Sequence, residues 1–335
     1  MNATEDLIQL QQEIYAVSRE QGGPLEKVMP WLLDRRNLQG AWQRVADADG
    51  ARTPGGDGLT VRDVAPRRER WLGQLSGKLY RGEYRPSPPR WVDVPKGDGR
   101  GVRRLGILTV EDRVVHAAWK QVLEPALEPA FSPNSFGFRP GRSVPGALEA
   151  AVRMLSASVG AELPFAYVGK LDVADCFDTI DHQLLFERLR RVVADEAALA
   201  LLDRLLSAGG RPTGWWWQRR RAGVVQGSSL SPLLCNFYLD AVDKAVGAYS
   251  RRNGGGLQVL RYADYLLLLA RTRRLAAAGV RVVQNSLSRL RQGLKRTKTR
   301  LAPVQDGIEW LGVRIRPRAQ AWNGRIEFMY EVPDA

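Results

Sequence analysis

The spacing of apolar positions alternates along the chain between the period of a helix and the period of a strand, which predicts an α+β fold. Residues 4–19 place apolar side chains every three or four positions behind a Thr4 cap, which predicts an amphipathic helix. Residues 167–173 alternate bulky and small side chains, as a buried strand does. Residues 258–270 predict two short apolar strands, joined by a turn that carries Asp264 at its tip.

Turn and cap residues predict four further elements. The chain over 90–107 predicts a hairpin, because a glycine-rich turn divides two apolar runs. Helices are predicted over 145–155 and 231–249, because each begins with a proline in a favourable first position. A second hairpin turn is predicted at 322–325.

Two aspartates fall at the ends of predicted strands. Asp172 ends its predicted strand, and Asp181 caps the helix that follows. The charge of Asp172 is therefore buried beside a tight strand-to-helix connection. One interpretation is a salt bridge from Asp172 to an arginine, since basic residues are plentiful. The other pairs Asp172 with Asp264, since two strand-end carboxylates can share a divalent metal ion and support phosphoryl transfer.

The charge balance indicates a polyanionic partner. The chain has 335 residues, with 50 Lys and Arg against 36 Asp and Glu, and a net charge of +14. This excess predicts binding to nucleic acid, with an anionic membrane surface as the second choice. An apolar content of 44% allows a sizeable core, in two or three subdomains.

Composition also excludes several classes of site and location. Cys176 and Cys235 lie in predicted core elements without metal-ligand spacing, so neither a disulfide nor a zinc site is expected. The two histidines, His116 and His182, are too few for a histidine metal site or catalytic triad. No stretch reaches the ~18 apolar residues of a membrane helix, and the acidic N-terminus lacks a signal-peptide pattern. We therefore expect a cytoplasmic protein without membrane contact.

A series of short blocks, running from about residue 40 to about residue 315, resembles the reverse transcriptases in content and order. The closest resemblance is to the group II intron type. The blocks are GDG at 56–58, PK at 95–96 with RRLGI at 103–107, DRVV at 112–115, SFGFRPGRS at 135–143, DVADCFDTIDH at 172–182, QGSSLSPLL at 226–234, RYAD at 261–264 and WLG at 310–312.

The resemblance implies a right-hand polymerase fold, with fingers and a palm whose antiparallel sheet packs on helices. The expected division is an N-terminal helical extension over 1–89, fingers over 90–165, an interleaved palm over 166–316 and a C-terminal β-hairpin over 317–335. The family normally continues into a helical thumb. Because the chain stops at Ala335, we expect the thumb to be absent or vestigial and its function to come from a partner protein or RNA.

The resemblance also implies roles for individual residues. Asp172 and Asp264 are the expected catalytic residues and the expected ligands of two Mg²⁺ ions, for which Mn²⁺ is a possible substitute. The expected contacts to the incoming dNTP are Lys96, Arg103, Arg104, Phe177, Gln226, Gly227 and Lys298. The expected contacts to nucleic acid are Arg139, Arg142, Arg219, Arg220, Arg221, Trp310 and Gly312.

Structural alternatives remain open for several of these residues. Phe177 matches an aromatic position that leaves no room for a 2′-hydroxyl and so selects dNTP, and core packing is its alternative. Either Arg103 or Arg104 fits the position that binds the triphosphate, and a solvated basic turn is the alternative. Arg139 and Arg142 suit template phosphates, and packing of their loop by phenylalanines is the alternative.

The predicted turn that carries Asp264 departs from the family at one position. Tyr265 stands where the family has a second aspartate, and a neutral phenol is not a carboxylate ligand for Mg²⁺. We therefore expect weaker metal binding, and an activity that is reduced, shifted to another metal or absent.

Together these features predict an RNA-directed DNA polymerase, which transfers a nucleotide from dNTP to the 3′-hydroxyl of a DNA or RNA primer on an RNA template. The alternative is a catalytically impaired, reverse-transcriptase-like protein that binds structured non-coding RNA as a subunit of a larger ribonucleoprotein or defence complex. A nuclease using the same carboxylates is a third interpretation, and the lack of a separate acidic cluster argues against it.

Overall fold

The chain folds as a mixed α+β protein in the computed structural model, which describes residues 3–20, 22–95, 101–156, 163–208, 212–213, 216–217, 220–318 and 328–331. The helices are α1 (Ala3–Glu20), α2 (Met29–Leu33), α3 (Arg35–Ala46), α4 (Val61–Val64), α5 (Arg68–Tyr80), α6 (Val110–Leu127), α7 (Val144–Ser156), α8 (Cys176–Thr179), α9 (His182–Leu189), α10 (Glu196–Ser207), α11 (Ser231–Arg252) and α12 (Arg273–Arg289). The strands are β1 (Arg90–Pro95), β2 (Val102–Ile107), β3 (Tyr167–Asp172), β4 (Pro212–Thr213), β5 (Trp216–Trp217), β6 (Leu257–Tyr262), β7 (Tyr265–Ala270), β8 (Arg300–Pro303), β9 (Ile308–Trp310), β10 (Val313–Pro317) and β11 (Phe328–Glu331).

The elements predicted from apolar spacing are present. α1, α7 and α11 cover the three predicted helices, and β3, β6 and β7 are the predicted apolar strands. β1 and β2 pair as the predicted antiparallel hairpin, although its turn residues 96–100 lie outside the described residues. The hairpin turn predicted at 322–325 also lies outside them, while the flanking strands β10 and β11 pair antiparallel.

The chain forms two compact units whose segments alternate along the sequence. The first unit contains Met1–Ala130 and Phe177–Leu234, and the second contains Phe131–Cys176 and Cys235–Ala335. The division into extension, fingers, palm and hairpin that the sequence suggests stays a prediction.

Helices form the centre of the first unit. α1, α3 and α6 pack on one another, and α6 contributes Val114, Trp119 and Leu123 with no exposed surface. Trp42 is buried and meets Trp71 edge to face at 5.6 Å between ring centroids. β2 ends at Ile107, three residues before α6 begins, so the hairpin leads directly into this helical core.

A four-stranded antiparallel sheet is the frame of the second unit, in the order β6-β7-β3-β8. On one face, Val168, Leu267 and Leu269 join the apolar core that includes α7. α12 lies on the other face and packs so closely that a Cβ added to Gly279 would lie 2.8 Å from the side chains of Leu257 and Leu268. Helices therefore cover both faces of the sheet, so we expect functional side chains at the ends of its strands.

No helix among the described residues combines the length and the apolar character that a bilayer crossing requires.

Candidate active site

The sheet of the second unit brings the two predicted catalytic aspartates together. β3 pairs with β7 so that Asp172 lies directly opposite Tyr265, the residue after Asp264. The backbone N–H of Val173 donates to the carbonyl of Asp264 at 3.1 Å. Two segments about 90 residues apart in sequence thus end at the same corner of the sheet, as antiparallel pairing requires.

The turn that carries Asp264 is held in a strained conformation. Tyr262 and Tyr265 are paired across it, which leaves a two-residue turn of Ala263 and Asp264, and Ala263 has φ +54°. Positive φ is unfavourable for alanine, so the surroundings must fix it. Gly137 approaches so closely that an added Cβ would lie 2.4 Å from the backbone nitrogen of Ala263.

A buried guanidinium joins this turn to α11. Arg261 has no exposed surface; it donates to the carboxylate of Asp243 at 2.9 Å, to Asn236 Oδ1 at 2.8 Å and to the carbonyl of Ala263 at 3.1 Å. Asn236 in turn donates to the carbonyl of Gly137 at 2.5 Å. Burial raises the pKa of Asp243, and the positive charge of Arg261 offsets part of this rise. The network ties both sides of the turn to one helix.

Asp172 is buried, with 1% of its surface exposed, and is surrounded by positive charge. Its two carboxylate oxygens lie 3.4 Å from Lys295 Nζ and 3.4 Å from Lys298 Nζ. These are ion-pair distances without hydrogen-bond geometry, so both oxygens accept no hydrogen bond from a described residue. The predicted salt-bridge alternative thus has a counterpart, with two lysines in place of an arginine.

Tyr265 does not replace the missing carboxylate. Partial burial raises the pKa of its phenol, and the negative charges of Asp264 and Asp172 raise it further, so the group is neutral at physiological pH. Among the described residues, no three His, Cys, Asp or Glu side chains are grouped to hold a metal ion. The site therefore offers the carboxylates of Asp172 and Asp264 and the ammonium groups of Lys295 and Lys298, with the exposed Asp175 4.0 Å from Lys295 Nζ.

The two cysteines meet beneath this site, a contact that the sequence did not reveal. The Sγ atoms of Cys176 and Cys235 are 3.1 Å apart, and both are buried thiols that are not joined in a disulfide. The hydrogen bond to Cys176 raises the pKa of Cys235, and burial raises it further, so Cys235 stays protonated. Gln292 fixes the neighbouring backbone by donating to the carbonyl of Cys176 at 3.0 Å.

In the first unit, the loop that carries Gln226 is fixed to β2. Gly106 N–H donates to the carbonyl of Gln226 at 2.8 Å, and Gln226 Nε2 donates to Asp178 Oδ2 at 3.0 Å. Gly227 has φ +106°, and a Cβ there would lie 3.1 Å from the Gly106 carbonyl oxygen, so glycine is required. Asp178 is therefore a structural acceptor for this loop.

A buried histidine supports the same loop, a role that sequence reasoning missed. His116 on α6 and Ser228 are hydrogen-bonded, with 2.6 Å between Nδ1 and Oγ. Ser228 Oγ also accepts from the Leu230 N–H at 3.2 Å. Burial lowers the pKa of His116 to about 4, so the imidazole is neutral at physiological pH.

This burial predicts a loss of stability on acidification. Between pH 6.5 and 4 the unfolded chain takes up a proton at His116 that the folded chain does not, so the free energy of unfolding falls as pH falls. We expect about 2 kcal/mol to be lost between about pH 7 and pH 5. Urea unfolding of the natural chain and of His116→Gln at both pH values measures it. An equal pH dependence in the two proteins would contradict the assignment.

The predicted contacts to the triphosphate lie on β2 or outside the described residues. Arg103 and Arg104 are both exposed, and Arg104 lies 5.1 Å from the ring centroid of Trp91. Lys96 lies outside the described residues. Phe177 is partly buried, and its carbonyl accepts from Val224 N–H at 2.7 Å.

The predicted basic segment at 219–221 is only partly described. Arg220 packs 5.8 Å from the ring centroid of Trp91, lies 3.7 Å from Asp178 Oδ1 and donates to the carbonyl of Ala222. Arg221 is exposed, whereas Arg219 lies outside the described residues. Arg220 is thus engaged within the first unit.

Arg139 and Arg142 differ in exposure. Arg139 is buried, donates to the carbonyls of Ser132 and Ser135 at 2.7 Å each and lies over Phe131. Arg142 is exposed. The contacts of Arg139 support the loop-packing alternative, and phosphate binding by either residue stays a prediction.

The predicted nucleic-acid contacts Trp310 and Gly312 also differ in exposure. Trp310 has no exposed surface, which leaves its side chain to core packing rather than to contact with nucleic acid. Gly312 is exposed, with φ +83°, in the turn between β9 and β10. Lys298 is exposed and forms the ion pair with Asp172 described above.

Residues 94–315 match the family model described as reverse transcriptase (RNA-dependent DNA polymerase). The chain belongs to the reverse transcriptase family. It is 32% identical over 310 residues to Protein YkfC of Escherichia coli, covering 83% of this chain and 80% of that protein. It is also 32% identical over 207 residues to the group II intron-encoded protein LtrA of Lactococcus lactis, covering 62% of this chain.

These relatives make the chain a group II-like reverse transcriptase. A further relative is the putative COX1/OXI3 intron 1 protein of Saccharomyces cerevisiae, at 29% identity over 209 residues, covering 62% of this chain. The chain spans 33% of the length of LtrA and 24% of the length of the yeast protein.

Proposed function

We propose that the chain is an RNA-directed DNA polymerase, which transfers a nucleotide from dNTP to a primer 3′-hydroxyl on an RNA template. The observation that carries this proposal is the pairing of β3 with β7, which sets Asp172 beside the turn that bears Asp264. Membership of the reverse transcriptase family supports the same reaction. Relatives named as group II intron proteins support RNA as the partner.

The residues at this corner fit a divalent cation. Mg²⁺ in nucleotide-transfer sites is commonly bound by one or two carboxylates together with substrate phosphates, and two carboxylates are present. Asp172 is buried beside the ammonium groups of Lys295 and Lys298, and neither of its oxygens accepts a hydrogen bond from a described donor, so both could still serve as metal ligands. Asp172 and Asp264 would hold two Mg²⁺ ions, with Mn²⁺ as a possible substitute. When bound, Mg²⁺ supplies Lewis acidity toward the 3′-hydroxyl and the triphosphate.

The chain's own residues would position the reactants. Lys298 and Lys295, which flank Asp172, supply ammonium groups that can donate to triphosphate oxygens when the carboxylate binds metal. Phe177 would exclude a 2′-hydroxyl, and Gln226 would contact the sugar, as the resemblance implies. Arg103 and Arg104 would offset charge on the leaving pyrophosphate.

A second candidate function has a specific observation in its favour. Tyr265 is neutral, and Lys295 and Lys298 already balance the charge of Asp172 without a metal. A protein with this site can bind RNA without polymerising, as a subunit of a larger ribonucleoprotein or defence complex. Under this alternative, a substitution at Asp172 that abolishes catalysis should leave the cellular function intact. A substitution that abolishes RNA binding should remove that function.

The substitution Tyr265→Asp is expected to strengthen the metal site. A third carboxylate beside Asp172 and Asp264 adds an anionic ligand, so the Mg²⁺ concentration at half-maximal primer extension should fall about tenfold. The measurement is a metal titration of primer extension on an RNA template with dNTPs, run with Mg²⁺ and separately with Mn²⁺.

The matched control is Tyr265→Asn, which removes the phenol without adding charge and should leave the metal requirement near that of the natural chain. An unchanged requirement in Tyr265→Asp would contradict a metal site at this corner. Extension by Tyr265→Asp alone, with none by the natural chain, would favour the RNA-binding alternative.

A further inference from the structure

The excess positive charge is concentrated in one segment of the chain. Residues 271–300 contain ten Lys and Arg and no Asp or Glu. The rest of the chain has 40 basic residues against 36 acidic ones, so this segment carries most of the net charge. A concentration of one sign without interspersed opposite charges is the electrostatic footprint of a polyanion site.

Helix α12 forms the centre of this segment and has two distinct faces. Its buried face, which includes Gly279, Val283 and Leu287, packs on the sheet of the second unit. Its outer face carries Arg274, Arg281 and Arg289, all exposed. At 3.6 residues per turn these three lie within an arc of about 80°, spaced about 11 to 12 Å along the axis.

The rest of the outer face is polar. Gln284, Asn285 and Ser288 lie between the arginines and are exposed, and Arg273 lies at the N-terminal end. Amide and hydroxyl groups can bond phosphate oxygens and 2′-hydroxyls, and no large apolar side chain is exposed there. A membrane-surface helix presents an apolar face to lipid, but the apolar face of α12 is buried in the protein.

The outer face of α12 lies away from the candidate active site. In β3 and β7, side chains two residues apart share a face, so Asp172 and Tyr265 lie on the face of Val168 and Leu267. α12 packs on the opposite face, against Leu268. Nucleic acid bound along α12 would therefore be separate from a duplex at Asp172.

We propose that the outer face of α12 is a second nucleic-acid site, which binds the phosphate backbone of double-helical RNA. Three arginines along one face suit a backbone, because arginine gives bidentate contacts to phosphate without reading the base sequence. The choice of RNA rests on the proposed function, but the site itself needs no polymerisation. It would hold a folded RNA while a separate strand occupies the active site.

The test is the affinity of the full chain for a fully paired RNA hairpin as a function of salt. In the variant R274Q/R281Q/R289Q the slope of log Kd against log salt should fall by about 2 to 3, because each lost phosphate contact releases about one fewer counterion. Kd at about 0.15 M salt should rise roughly 30- to 100-fold. Primer extension on a short unstructured template should stay within about twofold, since these side chains lie on the face of α12 that is turned away from the sheet.

The matched control is R153Q/R190Q/R191Q, which removes the same charge from three exposed positions on α7 and after α9. The control should change Kd by less than about threefold. Equal losses in both variants would mean a general field effect and overturn the proposal, as would no loss in either. If primer extension failed while the α12 variant still lost affinity for the RNA hairpin, the proposed polymerase activity would be overturned but the α12 site would not.

Two further arms identify the ligand. The DNA hairpin of the same sequence should bind more weakly, and tighter binding of DNA than RNA would overturn the choice of RNA. Phosphatidylcholine–phosphatidylserine vesicles should show no difference between the α12 variant and the control. Loss of vesicle binding in the α12 variant with unchanged hairpin affinity would assign the face to a membrane instead.

Discussion

Replacing Asp172 with asparagine is expected to abolish primer extension, by a factor of at least about 10³, while RNA affinity stays unchanged. Metal-based charge stabilisation contributes several kcal/mol to such a transition state, and each 1.36 kcal/mol is about tenfold in rate. Asparagine keeps the shape of the side chain but removes the charge that a divalent ion requires. The measurement is single-turnover extension of a primer on an RNA template, alongside hairpin binding by the same protein.

The control for this substitution is Asp306→Asn, the same chemical change at an exposed residue of the second unit. It should extend the primer within about twofold of the natural rate, because exposed positions remote from the site rarely affect it. If Asp172→Asn kept its extension rate, the assignment of Asp172 as a metal ligand would be wrong. If it lost hairpin affinity as well, a misfolded protein would have to be excluded by its melting curve.

Replacing Arg261 with leucine should cost about 3 to 5 kcal/mol of the free energy of unfolding, because it leaves the buried carboxylate of Asp243 without its partner. That is a large fraction of the 5 to 15 kcal/mol typical of a folded domain. The substitution also removes the donor to the carbonyl of Ala263, so the turn that carries Asp264 loses an anchor. Urea unfolding measures the loss.

The double variant Arg261→Leu with Asp243→Leu separates the two effects. Removing both charges should recover at least about 2 kcal/mol relative to Arg261→Leu alone, since no uncompensated charge remains. Primer extension should stay low in the double variant, because the bond to the Ala263 carbonyl is still missing. A double variant as unstable as the single one would show that the ion pair does not couple these residues.

The pairing of Asp172 with the turn of Asp264 could be predicted, because both follow from strand spacing and a family resemblance. The ammonium groups around Asp172 could be predicted only in part. Lys298 was expected from the family resemblance to contact dNTP, but Lys295 carried no signal beyond its position three residues earlier. That it contacts Asp172 depends on how the chain after α12 returns to β3, which local spacing does not determine.

Other contacts depend on tertiary packing alone. Cys176 and Cys235 are 59 residues apart and belong to different helices, so nothing in their spacing predicts that their thiols meet. Arg261 did carry a usable signal, since a charge within an apolar strand needs a buried partner. Trp310 was expected to contact nucleic acid because of the family resemblance alone, whereas its side chain is buried in the core of the second unit.

The most direct test of the account is primer extension by the purified natural chain on an RNA template, with dNTPs or NTPs, in Mg²⁺ and separately in Mn²⁺. We expect extension that requires a divalent ion, prefers dNTPs and disappears in Asp172→Asn. Extension that persists in Asp172→Asn, or that needs no divalent ion, would contradict it.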